Sequence, residues 1–582
     1  MLLRWIYNIW NFLLKFLGYL LLVVVIVSAL ALVGLQLPIS KSYIGGQLVN
    51  AFNEQYSGDV SIESIEGFIP FRTQLNNVTF TLADSLSDVD HLRKAPLSVD
   101  ELYMSLDVWQ LLQGSINITE LDLRSPDIRL SRTESGLNIQ QLVSRQKPRR
   151  SQNNHGASIT NVSIFAPQIL LSNGQVNVDS SFNFPSSVEL PDSLLLTGIN
   201  ASFFVESLEE QQFVEINSFE ASTNIDDFSQ VNLTAQFFTN GESLEVNALD
   251  IRSESAVVEL SVNASPINVF QPNVQSQLEK ASFELRIDRI NLQPVLLSHL
   301  REPKFTFDES VEMSGTVKGT LDTLFVDNLQ IIAGESYLIT DGVLTNVQEK
   351  TFGYDFSISN LVVTPQDVSP FLPDRSATPR ELERYGQALI RGDLAGSLAS
   401  LEADLSLETD LGGAEFESSL QFNDDQSFSL NVALDSLDLS PLLRDSVGTT
   451  FLNGSITATG RGYDKDAAVE STLLLSGSKI NTHNLQSFNG NISYNNQSGE
   501  YTIGIVSDDT EGSASGTFGI GATTLFQMDA VAENLNLVEY FPGLPYTRAE
   551  FDGVLFARLT GTSLEDFDAR LTADINESIV NS

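Results

Sequence analysis

Residues 428–434 read FSLNVAL, in which every second residue from Phe428 to Leu434 is apolar, with Ser429 and Asn431 among the residues between them. Successive side chains of a β-strand point to opposite faces of the sheet, so this alternation predicts a strand with one apolar and one wet face. A fold built from such strands needs something to cover the apolar face.

The same alternation recurs along the chain and indicates a mainly β protein. The apolar positions that it selects as the lining of one face are Val78, Phe80, Leu82, Val231, Leu233, Phe237, Phe283, Leu285, Ile287, Phe428, Leu430, Val432 and Leu434. Turn-forming clusters at 172–174 (SNG), 239–241 (TNG) and 489–490 (NG) predict hairpin turns between strands. Because such turns join antiparallel neighbours, we expect a mostly antiparallel sheet.

Two local patterns depart from plain alternation. Residues 42–56 (SYIGGQLVNAFNEQY) carry apolar residues at helical spacing and predict one short amphipathic helix. The apolar residues Leu121 and Leu123 give way to Ile128 and Leu130 across Ser125-Pro126, which changes the phase of the strand pattern. We expect a bend or bulge there, since proline cannot donate to a strand ladder.

A loose internal repeat runs through the second half. Short apolar turns, mostly opened by proline, occur at 291–296, 369–372, 438–443 and 536–541, and the last of them lacks the proline. Each is followed by a glycine-bracketed strand, at 315–319, 392–396, 454–460 and 553–561. An order kept four times predicts units of several strands and one short helix that stack on their neighbours.

The N-terminus carries an uncharged apolar run over residues 16–37, long enough for a helix that crosses a membrane. Arg4 and Lys15 precede the run, which places the N-terminus in the cytoplasm by the positive-inside tendency. A cleaved signal peptide is the alternative, because residues 29–31 (ALA) form a small-residue cleavage site. The apolar run continues past that site, which favours a retained anchor.

Charge excludes one class of partner. The chain has 32 Lys and Arg against 75 Asp and Glu, a net charge of −43, whereas nucleic-acid binding needs a basic surface. Residues 144–157 hold the one basic island after the anchor and predict an exposed, flexible linker. Residues 571–582 begin a strand pattern without a return partner, so we expect a chain truncated at its C-terminus.

Motifs for chemistry are missing from the sequence. It contains no nucleophile elbow, phosphate-binding loop, zinc-protease helix or calcium-binding loop. His91, His155, His299 and His483 stand far apart, and the chain has no cysteine. We predict no catalytic residue, no metal site and no cofactor.

The segment after the anchor resembles TamB proteins of the AsmA-like superfamily. The motifs that carry the resemblance are 67–71 (GFIPF), 97–102 (LSVDEL), 111–116 (LLQGSI), 121–130 (LDLRSPDIRL) and 136–139 (GLNI). They lie within residues 1–145, and the rest of the chain matches the family only in style. The domains expected on this basis are a cytoplasmic flank (1–15), a transmembrane anchor (16–37), an AsmA/TamB-like β domain (38–143), the linker (144–157) and repetitive β units (158–582).

The resemblance implies a single inner-membrane helix followed by an elongated, repetitive, antiparallel β-groove of the β-taco kind, with the bulk of the chain in the periplasm. It implies phospholipid carriage for outer-membrane biogenesis, and a TamA- or BamA-like barrel as a partner at the outer membrane. An assembly factor for outer-membrane proteins is the alternative function, and an adhesin or stalk is a third. From the residues alone, the same alternation also fits closed β-sandwiches.

Overall fold

The fold was analysed in a computed structural model of the chain. The residues that the structure describes are 33–55, 58–69, 71–82, 95–107, 116–133, 136–143, 162–179, 193–208, 211–225, 228–268, 274–278, 280–297, 309–347, 351–368, 383–423, 426–441, 449–462, 466–480, 483–508, 510–519, 524–536, 548–561, 568–575 and 579–581. The chain divides into two compact units, Met1–Leu278 with Ser298–Lys304 and Glu279–Leu297 with Phe305–Ser582. We call them unit 1 and unit 2.

Strands account for most of the described part of unit 1. They are β1 (Gly58–Ser61), β2 (Ser64–Phe68), β3 (Arg72–Leu82), β4 (Leu97–Leu106), β5 (Ile116–Leu130), β6 (Arg132–Thr133), β7 (Gly136–Leu137), β8 (Val162–Val178), β9 (Leu194–Leu208), β10 (Gln211–Thr223), β11 (Gln230–Thr239), β12 (Leu244–Ser253) and β13 (Ala256–Ser265). Its helices are α1 (Pro38–Gln55), α2 (Asn138–Val143) and α3 (Val274–Leu278).

Unit 2 is also built mainly of strands. Its strands are β14 (Ser282–Leu292), β15 (Val311–Thr320), β16 (Thr323–Ala333), β17 (Ser336–Thr345), β18 (Gly353–Val363), β19 (Ala388–Ser397), β20 (Ser400–Thr409), β21 (Gly412–Gln421), β22 (Ser427–Leu437), β23 (Thr450–Arg461), β24 (Ala468–Ile480), β25 (His483–Asn495), β26 (Ser498–Ser507), β27 (Glu511–Gly519), β28 (Thr524–Asn536), β29 (Arg548–Gly561), β30 (Asp568–Ile575) and β31 (Ile579–Asn581). Helical turns occur at α4 (Pro294–Leu297), α5 (Pro365–Val368) and a 3₁₀ turn, Glu383–Tyr385.

The mainly β, antiparallel prediction is confirmed, with one exception. In unit 2 each strand from β14 to β29 pairs with the next one in an antiparallel ladder, and β29 pairs with both β30 and β31. In unit 1, β5 and β8 pair in parallel, from Ile116 opposite Val162 to Leu130 opposite Val178. Parallel neighbours cannot be joined by a hairpin and need a longer connection.

One predicted turn is confirmed and two are wrong. Residues 239–241 join β11 to β12 as predicted. Residues 172–174 stay inside β8, where Asn173 has a φ of +52° and forms a bulge. Residues 489–490 lie inside β25, and the turn falls at Asn496-Gln497, whose φ values of +47° and +69° are those of a tight hairpin.

The predicted helix over residues 42–56 is confirmed as α1, which begins four residues earlier, at Pro38. The anchor over 16–37 lies almost wholly outside the described residues, and so does the linker over 144–157. Within the described ranges no helix combines the length and the apolar character that a membrane crossing requires.

The internal repeat is recognisable in unit 2. The proline turn at 291–296 forms α4, and all four glycine-bracketed segments lie in strands, namely β15, β19, β23 and β29. A second turn forms at Pro365–Val368, just before the predicted 369–372, which lies outside the described residues. Thr364 precedes the proline, and its hydroxyl donates to the Asp367 carboxylate at 2.7 Å.

Candidate functional site

The candidate site is an apolar face on the ladder of unit 2. In β14, Phe283, Leu285 and Ile287 are half-buried or buried, while the residues between them are exposed. The same alternation holds in β22 from Phe428 to Leu434. Each of these two strands therefore has one apolar face, as period-2 patterning requires.

The strand register joins the candidates of β14 and β22 into continuous rows, because residues directly opposite each other face the same side. The Phe283 row runs through Phe283, Gly319, Leu324, Leu344, Tyr354, Gly396, Leu401, Leu420, Phe428, Gly460, Val469, Tyr494, Gly499, Phe518, Phe526 and Leu559. Eight strand spacings separate Phe283 from Phe428, a distance of about 38 Å along the ladder.

A second row lies beside the first. The Leu285 row runs through Leu285, Val317, Val326, Gly342, Phe356, Leu394, Ala403, Ser418, Leu430, Ala458, Ser471, Ile492, Tyr501, Gly516, Met528 and Ala557. Apart from two serines, its members are aliphatic, aromatic, sulfur-containing or glycine. The two rows define the apolar face of unit 2.

Bulges keep this face apolar beyond the point where simple alternation ends. In β22, Leu434 lies opposite Gly454 and Leu437 lies opposite Leu452, so β22 holds one extra residue between the two pairs. Ser436, in that step, has a φ of +56°. The extra residue moves Leu437 to the side of Leu434, as a bulge does.

Alternation alone missed the residues beyond these bulges. Leu437, Leu452, Leu475 and Leu485 are buried in one cluster with Val432 and Leu434. In the sequence, such a bulge is indicated where the alternation of apolar residues shifts by one position next to a small residue or an amide residue. Ser125 also has a φ of +49°, but the register with β4 is the same on both sides of it, with Val99 opposite Pro126 and Glu101 opposite Arg124, so no extra residue accompanies this change of phase.

Gly454 shows why the repeated glycines occupy these positions. Its φ is +151°, and a Cβ atom there would overlap the carbonyl oxygen of Leu474 and lie 2.8 Å from the Cα atom of Leu475. A non-glycine residue would be strained and would push the neighbouring strand away. The glycine therefore allows β23 and β24 to stay paired at the bulge.

A cavity of about 470 Å³ opens on the apolar face beside the bulged end of β22. Its lining is Val363, Thr364, Pro365, Tyr385, Gly386, Ala388, Leu407, Thr409, Phe416, Val432, Leu434, Leu437, Leu439 and Ile456. The volume falls within the range of roughly 300–1,000 Å³ typical of small-molecule pockets. An almost wholly apolar lining suits hydrocarbon and offers little to a charged ligand.

Tyr385 supplies the cavity with a phenol group. Its hydroxyl donates to the backbone carbonyl oxygen of Asp438 at 2.8 Å. Burial, and then the charge of Asp438, raise the pKa of Tyr385 to about 12. The side chain is therefore a neutral hydrogen-bond donor that holds the 3₁₀ turn against the end of β22.

The Asp438 carboxylate fixes the turn below Tyr385. Its Oδ1 atom accepts the backbone N–H groups of Ser440 and Thr450, each at 2.9 Å, and the Thr450 hydroxyl at 3.0 Å. Burial alone would raise the pKa of Asp438, but these hydrogen bonds, led by those from the backbone N–H groups, outweigh burial and lower the pKa. The carboxylate thus stays ionised and holds this wall of the cavity in place.

Unit 1 carries its own apolar face. One row there runs through Leu75, Leu102, Leu123, Leu171, Ala201, Phe219, Leu233, Ile251 and Val258. Val231 and Phe237 share the face of Leu233, since β11 alternates without a break. The structure therefore places the candidates of β11 on a continuous face.

Helix α1 covers the N-terminal end of that face. Leu48, Val49, Phe52 and Phe80 pack on a core that contains Val78, and the Phe52 and Phe80 rings meet edge to face at 5.3 Å. Leu82 is also buried. At this end, Val78 and Phe80 contact protein side chains.

Part of the face in unit 2 stays open. Ile492 lies on the Leu285 row, yet its side chain is 47 % exposed, as much as that of Leu474, which is 45 % exposed on the opposite, polar side of the neighbouring strand. Ile503, which lies on the same face two residues from Tyr501, is 36 % exposed, so the face is open on the neighbouring strands β25 and β26.

No group of three or more potential metal ligands occurs among the residues that the structure describes. His483 begins β25, and the other three histidines lie outside the described ranges. Comparisons with protein families, with curated proteins and with solved structures found no match to the chain.

Proposed function

We propose that this chain is an inner-membrane-anchored protein, similar to TamB and other AsmA-like proteins, that carries phospholipids along its apolar β face for outer-membrane biogenesis. The anchor is a single membrane-spanning helix near the N-terminus. The N-terminus itself lies in the cytoplasm, and the β units lie in the periplasm. A barrel protein of the TamA or BamA kind at the outer membrane is the expected partner. The proposal includes no catalytic step.

The observation that carries the proposal is the pair of continuous rows in unit 2. They keep one face apolar from β14 to β29, and Ile492 on that face remains about half exposed. A closed sandwich would bury such a residue against a second sheet. A face that stays apolar across many strands and partly open supports a ligand that is itself long and apolar.

The cavity on this face gives a scale for the interaction. Burial of one methylene group is worth about 0.8 kcal/mol, so about six methylenes contribute roughly 5 kcal/mol. A free energy of that size corresponds to a dissociation constant between millimolar and micromolar. Binding of this strength lets an acyl chain enter and leave, as transport requires.

The test is a matched pair of charge substitutions on the full chain. Ile492→Glu places a carboxylate on the apolar face, and Leu474→Glu places one at a similarly exposed position on the polar side. Lipids that co-purify with each variant are counted by native mass spectrometry. We expect fewer lipids per chain in Ile492→Glu and an unchanged number in Leu474→Glu, because a carboxylate among acyl chains loses its hydration.

Equal lipid numbers in both variants would contradict the proposal. A wild-type chain that folds and carries no lipid would also contradict it, and would favour the assembly-factor function.

A further inference from the structure

A cluster of exposed apolar side chains lies at the β2–β3 hairpin of unit 1, where the hairpin meets the start of α1. Phe68 and Phe71 are 49 % and 54 % exposed, and their rings stack with centroids 6.0 Å apart. Leu37 and Ile39, at the start of α1, are 54 % and 83 % exposed. We call these four residues the membrane-side patch.

Hydrogen bonds hold the two halves of the patch together. The Gln36 side-chain amide donates to the Ile69 carbonyl oxygen at 2.5 Å and accepts the Ile69 N–H group at 3.3 Å. The Lys41 ammonium group donates to the Gly67 carbonyl oxygen at 2.7 Å. The hairpin tip is therefore fixed beside the first turn of α1.

The tip presents its aromatic residues outward. Ile69 is fully buried, while Phe68 and Phe71 on either side of it remain in water. Gly67 has a φ of +78°, and a Cβ atom there would overlap the Arg72 carbonyl oxygen, so the turn needs glycine. The backbone is thus shaped to expose two stacked phenylalanines, which costs solvation unless another surface covers them.

The sequence indicates what covers the patch. The uncharged apolar run over residues 16–37 ends at Leu37, which is itself a member of the patch. Aromatic side chains are enriched where a protein meets the bilayer interface. The cations of Lys41 and Arg72 flank the tip, although the chain as a whole is strongly acidic. The acidic chain as a whole would be repelled by an anionic bilayer. These features therefore fit the surface of a zwitterionic bilayer, which has no net charge.

We propose that the membrane-side patch inserts Phe68 and Phe71 into the interface of the bilayer that holds the anchor. The β2–β3 hairpin of unit 1 then contacts the membrane surface. The inference rests on the anchored placement in the proposed function and not on lipid carriage. It adds a second attachment to the membrane, separate from the helix that crosses it.

The experiment uses single-cysteine labelling, because the chain has no cysteine of its own. The full chain is reconstituted into vesicles of phosphatidylcholine and phosphatidylethanolamine, with an environment-sensitive dye on Phe71→Cys. The control is the same dye on Thr81→Cys, at an exposed position near the other end of β3, about 33 Å along the strand. Quenching is measured with lipids that carry a nitroxide either near the headgroup or near the tail end.

We expect the nitroxide near the headgroup to quench roughly half of the fluorescence at residue 71, with less quenching from the tail-end nitroxide and none at residue 81. A further variant adds Phe68→Ser to the labelled Phe71→Cys chain. This change removes one inserted ring from an exposed position, and quenching at residue 71 should fall by about half or more.

Three results would overturn the proposal: no quenching at residue 71, equal quenching at 71 and 81, or quenching at 71 that Phe68→Ser leaves unchanged. The last would mean that the anchor alone keeps the tip near the membrane. Lipid counts by native mass spectrometry on the same samples report on carriage independently, so failure of one proposal is distinguishable from failure of the other.

Discussion

Individual glycines and aspartates shape the apolar face of unit 2. Gly454 permits the bulge between β23 and β24, and Asp438 holds the turn that closes one wall of the cavity. The glycine-bracketed strands were predictable from the sequence, since all four recur at the same place in the repeat. The role of Asp438 was not, because its hydrogen bonds reach Thr450, twelve residues away.

Gly454→Ala should destabilise unit 2 by about 3 kcal/mol, because alanine is strained at this φ and its methyl group meets the backbone of β24. Hydrogen exchange of the β23 and β24 amides measures the effect. The matched control is Gly504→Ala in β26, where no atom lies within 4 Å of the added methyl group. Equal effects of the two substitutions would contradict the explanation.

Asp438→Asn should cost about 1–2 kcal/mol at neutral pH, since it weakens three hydrogen bonds that now end on a charged acceptor. The folded-state pKa lies below the ordinary value of 3.8, so the carboxylate contributes stability above that pH. The contribution is lost as the pH falls from 3.8 through the lowered pKa.

The measurement is urea unfolding of the wild type and the variant at pH 7 and pH 3. We expect the difference between them to shrink at pH 3. Asp393→Asn, at an exposed position on the polar side of β19, serves as the control and should change neither value. A difference that stays the same at both pH values would rule out the carboxylate as its cause.

At the scale of the element, bulges decide which apolar residues share a face. Strands β11, β14 and β22 follow the predicted alternation. The second half of β22 does not, because Ser436 shifts the phase. Residues 489–490 were mispredicted for a related reason: an Asn-Gly pair favours a turn locally, but pairing with β24 and β26 on both sides keeps it in the strand.

Insertion of one alanine between Ser436 and Leu437 should turn Leu437 to the polar side of β22 and leave the first half of the strand in register. We expect amide protection to be lost beyond Leu434 in β22 and opposite it in β23, and to be kept from Phe428 to Val432. Hydrogen exchange resolved by residue checks this. Insertion of one alanine directly after Asn423, in the exposed loop before β22, is the control and should be tolerated. Uniform loss of protection along β22 would argue against a local change of phase.

At the scale of the whole molecule, the continuous rows are the feature on which the proposed conduit, as opposed to a closed container, depends. Alternation predicted that Phe283, Leu285, Phe428 and Leu430 face inward, but only the pairing of every strand between them shows that they share two rows. Pairing over such separations depends on tertiary contacts that local patterns do not encode. The composition predicted the acidic character, and the alternation predicted the mainly β character, without this information.

Leu285→Glu should slow phospholipid transfer between vesicles at least about tenfold, since a barrier of only 1.4 kcal/mol suffices and a carboxylate in the path of acyl chains costs more. Lipid bound at the cavity near Val432 should remain, because Leu285 lies about 38 Å away along the ladder. Arg286→Gln, on the exposed side of β14, makes the same change in net charge and should leave transfer unchanged. Normal transfer by Leu285→Glu would favour a container.

The parallel pairing of β5 and β8 also orders the events of folding. Most neighbours in the two ladders are joined by hairpins, so each strand can add to the last as soon as it leaves the ribosome or the translocation channel. Strand β5 ends at Leu130, whereas its parallel partner β8 begins at Val162, so the edge of β5 that faces away from β4 must wait for that later segment. Until then β5 is an edge strand, exposed to unintended pairing. Synthesis of residues 131–161 therefore sets a delay in the growth of the sheet, during which the nascent chain is most open to capture by a chaperone.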